Sequence, residues 1–275
     1  MRKKTLLLFL LAASVMATGG CRKKSQEKMD LTSTHTTAVE TMSPETTAAE
    51  TEVSTEAEET TQAANASAGV SGSTKIETYH PKDFPTGSIS YPVVAHMKDE
   101  AKQNQVNDLL YENAISICDS LDLKNMDYLT IDCKVVSLDT SRITVVYQGE
   151  YYVKQGAYPV QIFYANTVDL NQVKSLGIND YSDAYTMAGY LMSDDVCFVD
   201  ADPKLTSSLR DYRSDQSIDY FTDLLNKADF PSKTKDASIF PESFSYLSNS
   251  TLYFSIPVPH ALGDYAIVAY PMDGK

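Results

Sequence analysis

Apolar and polar residues recur along the chain with two periods, and the change from one to the other marks out the elements of residues 75–275. Between Asp99 and Leu121, the positions Val106, Leu109, Leu110, Ala114, Ile117, Cys118 and Leu121 fall at steps of three and four, which predicts an amphipathic helix. The period then drops to two. Leu129, Ile131, Cys133 and Val135 alternate with Thr130, Asp132 and Lys134, and two further runs follow, at Ile143–Val153 and Tyr158–Tyr164. Short turn-forming stretches, Asp139-Thr140-Ser141 and Lys154-Gln155-Gly156, separate these strands and predict an antiparallel meander. Helical spacing returns with Ala184, Met187, Ala188 and Leu191. Asp202-Pro203 then reads as an N-cap followed by proline in the first helical position, opening a helix that breaks near Ser214-Asp215 and resumes at Ile218. Leu252, Phe254 and Ile256, then Tyr265, Ile267 and Ala269 beyond the Gly263 turn, form a closing hairpin. This order predicts an α+β fold, an antiparallel β-sheet with helices packed on one face.

The first part of the chain follows different rules. Arg2, Lys3 and Lys4 precede an apolar run from Thr5 to Ala17, and Thr18-Gly19-Gly20-Cys21 resembles a bacterial lipoprotein cleavage box. The apolar run is too short to span a bilayer, so residues 1–20 are expected to be a signal peptide and Cys21 the site of lipid attachment. A diacylglyceryl group there would hold the protein at the extracytoplasmic side of the bacterial cell membrane. From Arg22 to Thr74 the chain is dominated by Thr, Ala, Glu and Ser and contains no aromatic residue, so it cannot bury enough apolar surface to order itself. Residues 21–74 are therefore expected to form a lipidated, disordered tether, with a reach on the order of 40 Å. The globular head follows at 75–275, with an N-terminal part at 75–170 and a C-terminal part at 171–275.

Composition narrows the function. All 18 tyrosines and all but one of the nine phenylalanines lie in the head, which supports a real core. The formal charge of −14 divides into +3 on the leader, −5 on residues 22–74 and −12 on the head. An acidic head excludes nucleic acid as a partner, because phosphate neutralisation needs clustered Lys and Arg. It suits a basic partner instead.

Candidate chemistry is sparse. His80, His96 and His260 are scattered without metal-ligand spacing, and no serine of the head stands in a nucleophile elbow. Asp194, Asp195, Asp200 and Asp202 cluster but lack the spaced loop of a calcium site, and capping and solvated turns are the expected roles. Cys118 and Cys133 fall on apolar faces and read as buried thiols, with a helix-to-strand bridge as the alternative; Cys197 leaves the head with an odd count. The expectation is a head with no catalytic residue, no metal and no cofactor.

Several short segments carry a family likeness. Ile89-Ser90-Tyr91-Pro92-Val93-Val94 followed by Val106-Asn107-Asp108-Leu109-Leu110 resembles the opening of an extracytoplasmic domain of unknown function shared by RsiV-type anti-sigma proteins and PdaC-type peptidoglycan deacetylases. Gly156-Ala157-Tyr158-Pro159 resembles that domain's Gly-Ala-His-Pro, with Tyr158 in place of the histidine. Asn166-Thr167-Val168-Asp169-Leu170 and Pro259-His260-Ala261-Leu262-Gly263 resemble two later motifs. The resemblance implies lysozyme sensing by direct binding in the anti-sigma relatives, and a companion to a separate catalytic domain in the deacetylases. This chain shows neither a spanning helix nor a deacetylase domain after the head. It is therefore expected to be a non-catalytic binding or sensing module at the cell wall, for a basic protein such as lysozyme or for peptidoglycan. The alternative is a cell-wall-modifying enzyme or an accessory domain of one.

Overall fold

The computed structural model describes residues 72–231 and 240–272. The leader, Cys21 and the tether up to residue 71 lie outside the described residues. Among those described, no helix is long and apolar enough to cross a membrane.

The meander forms as its alternation predicts. β3 (Met126–Leu138), β4 (Arg142–Val153) and β5 (Val160–Asp169) pair antiparallel in sequence order. The sheet is wider than this core, however. It has six strands in the order β1-β2-β3-β4-β5-β6, where β1 (Ser73–Tyr79) and β2 (Ser88–Ala95) precede the helix and β6 is Lys174–Leu176. Strand structure begins at Ser73, and the first sheet continues past Leu170 to β6.

A second sheet is also present, where the sequence suggested one. Its four strands run in the order β7-β10-β9-β8, antiparallel throughout: β7 (Cys197–Phe198), β8 (Ser245–Ser248), β9 (Thr251–Pro257) and β10 (Tyr265–Pro271). The α+β class stands, with helices apportioned between two sheets. α1 (Glu100–Ile115) covers the first and buries Val106, Leu110 and Ala114. α3 (Ala184–Met192), α4 (Pro203–Ser214) and α5 (Ile218–Asn226) cover the second, after a short α2 (Ile178–Tyr181).

Capping fixes where these helices begin. Asp99, Asp183, Asp202 and Ser217 each accept a backbone N–H from the first turn of α1, α3, α4 and α5, at 2.7–3.0 Å. Pro203 occupies the first turn of α4, where no intrahelical N–H is required.

Every neighbouring pair in the first sheet is antiparallel except β2 and β3, which are parallel and pair only at Ser88–Thr130 and Ile89–Ile131. Beyond that point β2 needs another partner, and a side chain supplies it. Asn107 of α1 accepts the Val94 N–H through Oδ1 at 2.8 Å and donates from Nδ2 to the Val94 carbonyl at 2.9 Å. An amide side chain thus stands in for a neighbouring strand. Pro92, two residues earlier, presents its nitrogen to the same side, so its missing N–H removes no bond to β1. Asn107→Ala is expected to destabilise the head by about 2 kcal/mol, since a donor and an acceptor lose their partners together. Urea unfolding measures it, and Asn107→Asp, which keeps only the acceptor, should fall between.

Candidate functional site

The β4–β5 turn and the β9–β10 turn come together on one side of the molecule, and an aromatic ledge forms where they meet. Tyr158 in the first turn stacks on His260 in the second, with ring centroids 5.4 Å apart and planes inclined by 24°. Tyr158 is 67% exposed, the most open large apolar side chain among the described residues.

Each turn is held firmly. Gln155 adopts a left-handed φ of 63°, and Gly156 donates to the Val153 carbonyl at 2.8 Å while its own carbonyl accepts the Tyr152 hydroxyl at 2.5 Å. A Cβ at Gly156 would lie 2.8 Å from the Val153 oxygen, so the tightness of this turn selects glycine. In the second turn, Pro259 leads into one turn of 3-10 helix, His260–Leu262, and Gly263 reverses the chain at φ 102°.

Two carboxylates tie the ledge to the strands beneath it. Asp264 lies within 2.9 and 3.0 Å of His260 Nδ1 through its two oxygens, and Oδ2 also accepts the Gln161 backbone N–H at 2.8 Å. One side chain therefore links the second sheet's hairpin to β5 of the first sheet. Glu150 accepts the Tyr128 hydroxyl and the Gln161 side-chain amide, both at 2.8 Å. The bond to Glu150 raises the Tyr128 pKa, with burial adding a smaller push. Tyr128 and Tyr152 are register partners on β3 and β4, and their rings stack at 5.9 Å and 17°.

The ledge is thus a row of aromatic rings set in place by acidic and amide groups. It can offer flat aromatic faces that lose little entropy on binding and on which an ammonium or guanidinium group can rest.

The other sequence candidates lie elsewhere. His80 bonds through Nδ1 to the Gly87 carbonyl at 2.7 Å in the β1–β2 connection, and His96 sits in a left-handed turn at φ 64°. Within the acidic cluster, Asp202 caps α4 and Asp194 faces the buried Arg213 at 3.7 Å. Among the described residues no group of three His, Cys, Asp or Glu side chains is arranged to hold a metal ion. Cys118 and Cys133 are half-buried and unbridged, with burial pushing their thiols up to about 11 and about 12; Cys197 is exposed. Cys21, the expected lipid attachment site, lies outside the described residues.

Sequence inspection picked out Tyr158 and His260 separately, as parts of two motifs, and did not join them. The available signal was that each sits beside a proline in a turn between paired strands.

No protein-family model matches the chain, and no curated protein matches it. Solved structures do. The structural neighbours are DUF3298 family proteins. One, from Bacteroides fragilis, is 15% identical with a TM-score of 0.34, over 73% of this chain and 88% of its own. Another, from Pseudomonas aeruginosa, is 9% identical with a TM-score of 0.34, over the same shares of the two chains, 73% and 88%.

Proposed function

We propose that the protein is a lipoprotein anchored through Cys21 on the extracytoplasmic side of the bacterial membrane, whose head is a non-catalytic binding or sensing module at the cell wall. The contact surface is the ledge, and the ligand is a basic protein of the lysozyme type. The observation that carries this reading is the Tyr158–His260 stack, exposed at the junction of two turns and braced by Asp264, which holds both His260 and the Gln161 N–H. Exposed tyrosine on a rigid support is what an interface anchor requires. The head's charge of −12 favours encounter with a cationic partner and makes the association sensitive to salt.

The likeness to the RsiV-type and PdaC-type domain supports the same setting. Two of the segments that carry it, Gly156–Pro159 and Pro259–Gly263, are the two turns of the ledge. Both ledge carboxylates are engaged by Tyr128, Gln161 and His260, which supports positioning of the aromatic rings rather than acid–base chemistry.

Retention of the mature protein on an immobilised basic muramidase, and separately on peptidoglycan, tests the reading. Retention on the muramidase at low salt that fades as salt rises is expected, and Tyr158→Ala should weaken it about 30-fold, the equivalent of about 2 kcal/mol. No retention on the muramidase at low salt would remove the basic-protein reading.

A further inference from the structure

β1 closes one side of the first sheet, and its outer edge has no neighbouring strand among the described residues. The strand keeps an unbroken register with β2 from Ser73 to Tyr79, without a bulge and without a proline of its own. Bulges, prolines and charged side chains are the usual means by which an edge is kept from pairing. β1 has only charges, and they are one of each sign.

The direction of its backbone groups follows from β2. Val94 gives its N–H and carbonyl to the Asn107 side chain, so both point away from β1, and its register partner Thr74 makes no ladder bond to β2. Alternation along the strand then turns the N–H and carbonyl of Thr74, Ile76 and Thr78 outward to the free edge. Among the described residues no hydrogen bond engages these outward groups.

The intervening side chains, Lys75 and Glu77, lie on one face of the strand, where Nζ and Oε1 are 2.6 Å apart. The Tyr91 hydroxyl donates to Glu77 Oε2 at 2.9 Å. The bonds from Lys75 and Tyr91 hold the Glu77 carboxyl below its ordinary pKa, against the opposing effect of burial, so it is ionised at neutral pH. Both side chains remain open to a neighbour, at 49% and 40% exposure.

This pattern is complementary to itself. An antiparallel partner must bring outward groups to outward groups, which confines the register to pairings of Thr74, Ile76 and Thr78 with one another. With Ile76 opposite Ile76 of a second copy, Thr74 meets Thr78, the whole strand is used, and each Lys75 faces a Glu77. Sliding to the next allowed register sets Lys75 against Lys75 or Glu77 against Glu77, and like charges directly opposite are destabilising.

We propose that β1 is a self-association edge: two copies of the chain pair antiparallel along it, with Ile76 at the two-fold axis, and their six-stranded sheets become continuous. The backbone hydrogen bonds supply the attraction, and the exposed ion pairs select the register. The edge shares no residue with the Tyr158–His260 ledge, so each surface stands or falls by itself.

Sedimentation equilibrium of the mature chain, prepared without its lipid so that acyl chains add no association, tests the pairing. A monomer–dimer equilibrium is expected at concentrations on the order of 100 µM. Lys75→Glu and Glu77→Lys should each weaken the dimer by about tenfold or more, because each sets like charges opposite one another. An equimolar mixture of the two variants should associate again, since the mixed pair opposes unlike charges. Ile76→Pro removes an outward N–H that β2 does not use, so it should abolish the dimer while circular dichroism shows the fold retained. A protein that stays monomeric would overturn the proposal, as would a dimer indifferent to Ile76→Pro. A mixture of the charge-reversed variants that fails to associate would overturn the register.

Discussion

Replacing Gly149 by alanine is expected to cost the head about 3 kcal/mol or more, a large fraction of the stability of an ordinary domain. Gly149 lies in the centre of β4, opposite Ile131 of β3. A Cβ there would stand 2.0 Å from the Thr130 carbonyl oxygen and 2.7 Å from the Ile131 Cα. Both atoms belong to the backbone of the neighbouring strand, so no side-chain rotation relieves the clash, and the ladder between β3 and β4 must open. Gly189→Ala makes an instructive contrast. It lies within α3, a Cβ there meets nothing within 4 Å, and alanine is a better helix former. A gain of about 0.5–1 kcal/mol is expected. Urea unfolding followed by circular dichroism should show midpoints displaced in opposite directions. A Gly149→Ala midpoint equal to that of the unsubstituted protein would contradict the close approach of the two strands.

Loss of the Asp229 carboxylate should be comparably severe. Asp229 is only 2% exposed and takes a left-handed φ of 67° between α5 and β8. Its carboxylate accepts the Ile178 N–H at 2.7 Å, the Ser245 N–H at 2.5 Å and the Ser245 hydroxyl at 2.7 Å, while its own N–H donates to the Ser243 carbonyl at 3.0 Å. One buried side chain thus joins the start of α2 to β8, an edge strand of the second sheet. Asp229→Ala leaves two buried backbone N–H groups and a hydroxyl without their acceptor. Each orphaned donor costs about 1–3 kcal/mol, so a total of about 3–5 kcal/mol is expected. Asp229→Asn keeps one acceptor oxygen and should cost less. Gly177 belongs to the same clamp, because a Cβ there would fall 2.6 Å from Asp229 Oδ2. A loss under about 1 kcal/mol for Asp229→Ala, measured by denaturant unfolding, would show that water replaces the carboxylate without difficulty.

How much of this was legible in the sequence depends on the range of the interactions involved. The α1 helix and the β3–β4–β5 meander are written in local periodicity, which gives their type and order; their ends differ, since α1 stops at Ile115 rather than Leu121 and β5 runs from Val160 to Asp169 rather than from Tyr158 to Tyr164. The N-cap Asp202 was read from local sequence as well, whereas the cap at Asp99 emerged only with the structure. β1 and β2 were missed for physical reasons. β1 is an edge strand whose residues are exposed or half-buried, so its pattern is weak, and Pro92 interrupts the apolar run of β2. The role of Asn107 was invisible too, because a mid-helix asparagine looks like any polar helix-surface residue until the strand it completes is seen. The packing of the two sheets on one another rests on contacts such as that of Phe163 in β5 with Tyr265 in β10, which no period encodes.

The ledge was half legible. Its two turns stood out through glycine, proline and family likeness, but the bond from Gln161 to Asp264 that brings them together spans 103 positions. Nothing in local composition reports a pairing of that range.

The claim that the ledge is the binding surface is tested most directly by calorimetric titration of a basic muramidase into the mature protein and two variants. Tyr158→Ala removes the exposed face of the ledge. Tyr185→Ala removes a comparably exposed ring, 62% against 67%, on α3. An affinity reduced about 30-fold by Tyr158→Ala and unchanged by Tyr185→Ala is the predicted result. Equal affinity of Tyr158→Ala and the unsubstituted protein would contradict it.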